Sequence, residues 1–145
     1  MADPADQILL YARARAATAK KVDRGECWDL GVRALEAANA KRPPQDFGGK
    51  LYVWGDKIAL TDVQPGDILQ IEELQLSCST DNGDYSGSVS HHTAIVEKVD
   101  GVWFTLLHQN FNGKRYPTRD QLPIGGECIK SGTVAAYRPM AKAKK

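Results

Sequence analysis

The chain has 145 residues, 42% hydrophobic and 26% charged, with a net charge of +1. That balance fits one globular domain with a sizeable core, and it excludes a disordered chain or one built on a basic stripe for nucleic acid. No apolar run approaches the roughly 18–20 residues of a membrane span, and "MADPADQILLYARARAATAKK" lacks the layout of a signal peptide, so a cytoplasmic or nuclear chain, or one exported by an unconventional route, is expected.

The opening stretch reads as a helix. Asp3 can cap it, Pro4 suits the first helical position, and Ile8, Leu9, Ala12 and Ala16 share a face. A second helix is expected at about 25–40, where Cys27, Leu30, Ala34 and Ala38 recur at helical spacing. The stretch "KRPPQDFGG" (41–49) stops it. The pattern then turns to β. "KLYVWGDKIAL" gives one or two short strands, and "QPGDILQIEELQL" is a turn running into another. The polar segment "SCSTDNGDYSGSVS" (77–90) reads as a long exposed loop that could shape a substrate site. "HHTAIVEKV", "DG" and "VWFTLLHQN" form a hairpin. "GKRYPTRDQLPIGGE" reads as loop, "SGTVAAYRP" as a last strand and "AKAKK" as a basic tail. Helices followed by four to six short strands predict an α+β fold, with an antiparallel sheet packed on the helices.

Cys27 falls at the start of the second helix. Asp23 and Glu26 have capping-box spacing, and Gly25 offers another cap. A thiol in the first turn lies near unpaired backbone N–H groups and the positive end of the helix dipole, which favours the thiolate. The same position also lies on the buried stripe with Leu30 and Ala34, where a cysteine is an inert core residue. A partner base must decide between the two.

All three histidines, His91, His92 and His108, fall in the hairpin, with Asn110 close behind. A thiol nucleophile needs an imidazole to take its proton and a polar group to fix that ring. A two-residue Asp100-Gly101 turn would oppose Thr93 to His108. A three-residue turn, Val99-Asp100-Gly101, would oppose His92 to His108. A one-residue slip swaps every face, so turn chemistry alone leaves His91 and His92 both open. A Cys/His zinc site is a rival reading, although the spacing matches no common zinc pattern. Cys78 and Cys128 receive no catalytic role. A disulfide between them requires Cα atoms within roughly 7 Å.

"GECWDLGVRAL", "QPGDILQI", "HHTAIV" and "TLLHQN" occur in an order that resembles papain-like amidases and peptidases of the CHAP and NlpC-like families, over about residues 21–138. The resemblance implies a papain-like (NlpC/CHAP-type) fold, with N-terminal helices on an antiparallel sheet or half-barrel. It implies an N-terminal helix over 1–20, a hydrolase domain over 21–139 and a tail over 140–145. It also implies a thiol amidase or peptidase with Cys27 as nucleophile and His92 as general base, because the match "HTAIV" begins at His92. His108 takes the place of the glutamate of the CHAP E-Q-N segment and would orient His92, with Asn110 in support. His108 brings no negative charge of its own. The implied partner is a peptide or other amide, peptidoglycan among the candidates, with no cofactor and no metal. Tyr11 and Trp28 are candidates for the cleft wall. A similar cysteine-protease-like module sits in some fungal actin-patch adaptors, where the alternative is an interaction module without turnover.

Overall fold

The computed structural model describes residues 4–41, 53–81 and 83–141. Asp3, most of the loop at 41–49, the first residues of "KLYVWGDKIAL" and residues 142–145 of the basic tail lie outside the described residues. Pro4 opens α1 (Pro4–Thr18), whose Ile8, Leu9 and Ala12 are buried and whose Ala16 packs beside them. The second helix, α2 (Cys27–Ala37), buries Leu30, Val32, Ala34 and Leu35.

Six strands follow: β1 (Asp56–Ile58), β2 (Ile68–Thr80), β3 (Gly83–Asp100), β4 (Trp103–His108), β5 (Thr118–Pro123) and β6 (Ile129–Arg138). They form one sheet in the order β1-β6-β2-β3-β4-β5, and every paired neighbour is antiparallel. Alternation along the strands separates two cores. Ile68, Ile95 and Leu107 face the helices and Trp54, while Leu69, Ile71, Ala94, Val96, Leu106 and Leu122 pack on the opposite face. Neither α1 nor α2 contributes to that second core, which is closed by the sheet itself and by the short turns that carry Leu60 and Cys128.

Three expectations need correction. The segment at 77–90 is strand rather than loop, because β2 and β3 stay paired out to Thr80 and Gly83. Its serines are weak strand formers, and a disulfide from Cys78 to Cys128 (Cα–Cα 4.9 Å) pins the hairpin to the turn before β6. The segment read as loop after "FNGK" contains β5, which pairs with β4 from Thr118–His108 to Pro123–Trp103. The β3–β4 turn matches neither alternative. Asp100 pairs with Trp103 across Gly101 and Val102, and a bulge at Glu97 shifts the register so that Ala94 opposes His108.

Candidate active site

The loop before α2 is wired to the end of β4. Gln109, fully buried, accepts from the Val22 N–H at 2.8 Å and donates to the Val22 carbonyl at 3.1 Å and the Glu26 carbonyl at 2.8 Å. Asn110 donates to Glu26 Oε2 at 3.1 Å, and Arg115 donates to Glu26 Oε1 at 2.7 Å. Gly25, at φ +86, lies so close to the Arg115 carbonyl that an added Cβ would sit 2.9 Å from it. The cap itself is offset from the expected one. Glu26 is the N-cap and Asp29 closes the box, accepting the Glu26 N–H at 3.2 Å, while Asp23 pairs with Arg33 instead. Cys27 is thus the first residue of the helix proper, buried at 8% exposure.

The sulfur meets the sheet at Thr93. Burial pushes the Cys27 thiol above its ordinary value, against the opposing pull of the Thr93 N–H, the Thr93 hydroxyl and the Trp28 N–H. The helix start therefore does not ionise the resting thiol, and the site holds the protonated form. Thr93 is in turn fixed by a 2.6 Å bond from its hydroxyl to Gln70 Oε1. His92 is the preceding residue on β3.

His92 and His91 diverge, as alternation demands. His91 is exposed on the Thr93 face and pairs with Glu72. His92 lies on the opposite face, 3% exposed, with its Nε2 2.9 Å from Nδ1 of the fully buried His108. Phe111 stacks on His108 at 4.4 Å between ring centroids, with the His92 ring 5.4 Å away. Burial first, then repulsion from His108 and His91, holds His92 well below the ordinary imidazole value. His92 is therefore uncharged at neutral pH.

Sequence reasoning missed Asp120. Its Oδ2 lies 2.8 Å from His108 Nε2 and also accepts from the Thr118 hydroxyl at 2.8 Å. The hydrogen bond to His108 holds this carboxyl below the usual carboxylate range. The charge that His108 itself lacks is thus supplied one ring further out. No signal in the sequence points to Asp120, because its strand lies among loop-like residues. Phe111 had a signal: Asn112-Gly113, both at positive φ, make the hairpin turn that closes Phe111 onto Lys114.

A family model described as the AIM3/BBC1 cysteine proteinase-fold domain matches residues 4–144. The chain belongs to that family. Two crystal structures of Ly7917, one described with the hydrolyzing product of MDP, share the fold at TM-scores of 0.56 and 0.57 and 24% identity. Each comparison covers 93% of this chain but 62% of the Ly7917 chain. No curated protein matches. The AIM3/BBC1 assignment agrees with the papain-like α+β fold, of the CHAP and NlpC-like type, implied by the sequence. Tyr11 and Trp28 pack against the helical core. Among the described residues no group of three or more His, Cys, Asp or Glu is disposed to hold a metal, and no helix is long and apolar enough to cross a membrane.

Proposed function

We propose that this domain is a thiol hydrolase of amide bonds, with Cys27 as nucleophile and His92 as general base. The observation that carries it is the meeting of the helix-start thiol with β3 at Thr93, one residue from a buried imidazole pair. His92 uses Nε2 toward His108, so Nδ1 is the nitrogen left for the thiol proton. Unliganded sites often hold such groups apart until substrate binds. Because the resting thiol and imidazole are both neutral, His92 takes the proton as Cys27 Sγ attacks the carbonyl carbon. The oxyanion forms near the Cys27 backbone N–H at the start of α2. His92 returns the proton to the leaving amine, and water then cleaves the thioester. His108 orients His92. Asn110, through Glu26, supports the loop that presents the thiol.

The substrate is a peptide or other amide. The description of Ly7917 with the hydrolyzing product of MDP makes an MDP-like amide, and peptidoglycan-derived amides with it, the first class to try. Incubation with MDP and short peptide amides, followed by mass spectrometry, tests the reading. Cys27→Ala must abolish product while keeping the fold, and turnover surviving in that variant defeats the assignment. The protonated, largely buried thiol favours a second reading, an interaction module without turnover. A folded wild-type protein whose Cys27 resists iodoacetamide up to alkaline pH decides for it.

A further inference from the structure

Asp120 is a carboxylate, and a carboxylate only accepts hydrogen bonds. Its 2.8 Å contact with His108 Nε2 therefore requires the proton on that nitrogen. A neutral His108 then has a bare Nδ1, which must accept across the 2.9 Å contact from His92 Nε2. With its proton on Nε2, neutral His92 presents a bare Nδ1. For a neutral pair of rings each step follows from the one before it. The chain is sheltered: His108 is fully buried, His92 is 3% exposed, and Phe111 covers both rings. Asp120 is itself held by Thr118, which donates to the same oxygen.

We propose that Asp120 is a positioning residue that sets, through His108, which nitrogen of His92 is left bare to accept the Cys27 proton. This rests on the reading of His92 as the base. Asparagine at position 120 can keep its oxygen toward both His108 Nε2 and the Thr118 hydroxyl, so the informative change removes the acceptor. In Asp120→Ala nothing holds the His108 proton on Nε2, and the His92 proton is free to move to Nδ1, the wrong side. A wrong imidazole tautomer costs a serine protease about 10⁴ in rate.

Long-range ¹H–¹⁵N correlation spectra of the intact protein at pH 8 read the tautomers directly. The wild type is expected to carry Nε2–H on both His92 and His108. In Asp120→Ala the His92 signal moves toward Nδ1–H, and alkylation of Cys27 by iodoacetamide falls roughly tenfold, a part of the roughly 10²–10⁴ that a general base contributes. Asp120→Glu, which keeps an acceptor-only group, restores the wild-type tautomer and most of the rate. Wild-type His92 carrying Nδ1–H, or unmoved tautomers in folded Asp120→Ala, overturns the inference even if Cys27 reactivity depends on His92. Alkylation unchanged in His92→Ala overturns the base assignment, and the inference with it, whatever the tautomers show.

Discussion

Gln109→Ala should be among the most costly single substitutions in the chain, and the structure gives its size. The side chain is fully buried and makes three hydrogen bonds, all to backbone groups of the loop that precedes Cys27. Truncation leaves the Val22 N–H without its protein partner, while the Val22 carbonyl keeps the Gly25 N–H and the Glu26 carbonyl keeps the Asp29 N–H; Val22 is itself only 5% exposed. An unsatisfied buried polar group costs about 1–3 kcal/mol. One such group, with the loss of two further hydrogen bonds of about 0.5–1.5 kcal/mol each, comes to about 3 kcal/mol. For a domain of this size 1 kcal/mol moves Tm by roughly 3–4 °C, so a fall of about 10 °C is expected. Circular dichroism melts and urea titrations measure it. Gln109→Glu keeps the acceptor for Val22 N–H but loses both donations and buries a charge, so it should cost at least as much. A Tm loss below roughly 3 °C in Gln109→Ala would mean that water replaces the amide, and that the loop is not held in the way argued here.

Cleaving the Cys78–Cys128 bridge, which closes a separation of 50 residues, should cost up to about 4 kcal/mol on chain-entropy grounds; a melt with and without reductant, in Cys27→Ala to avoid exchange, reads it, and an unmoved Tm refutes it. Burial depresses the basicity of His92, so protons bind the unfolded chain better than the native one. That contribution is complete above the unfolded value of about 6.5 and is lost as pH falls below it, by at most about 1.4 kcal/mol per pH unit. His92→Gln should flatten the urea midpoint between about pH 6.5 and 5, above the window in which Asp120 protonates, and a slope equal to wild type contradicts this. The Cys27 thiol is raised by burial, so its alkylation should climb through a midpoint above the free-thiol value of about 8.5; a plateau near neutral pH would reveal a thiolate that the structure does not hold.

Periodicity located both helices, since the stripe of Ile8, Leu9 and Ala12 and the stripe of Leu30, Ala34 and Leu35 are buried as spaced. The glycine and proline punctuation around "QPGD" placed the start of β2. Composition misled where tertiary constraint outweighs propensity. The serine-rich hairpin arm is held as strand by a disulfide to a distant turn. β5 is sandwiched between loop-like flanks, and its Leu122 and Pro123 make too short an apolar pair to register. Losing β5 meant losing Asp120, and with it the charge behind the histidine pair. The faces of His91 and His92 were readable only up to the parity of one unseen residue.

That residue is Glu97. Counting back from Asp100 opposite Trp103, an unbroken ladder would oppose Ile95 to His108. Directly opposed side chains share a face, so His108 would then point with Ile95 into the helix-side core, away from His92. The bulge between Val96 and Lys98 adds one residue and moves His108 opposite Ala94, on the face of His92. The parity is the one a three-residue turn would have given, displaced by two residues, so His92 reaches His108 diagonally, with ring centroids 4.9 Å apart. The extra residue is not left loose. Its carboxylate is gripped by Arg13 of α1 and by Arg119 of β5, which holds it below the usual carboxylate range. A local irregularity in one strand, secured from α1 and from the edge strand β5, thus decides whether the two imidazoles meet. It escapes a hairpin rule because the groups that secure it lie outside the hairpin.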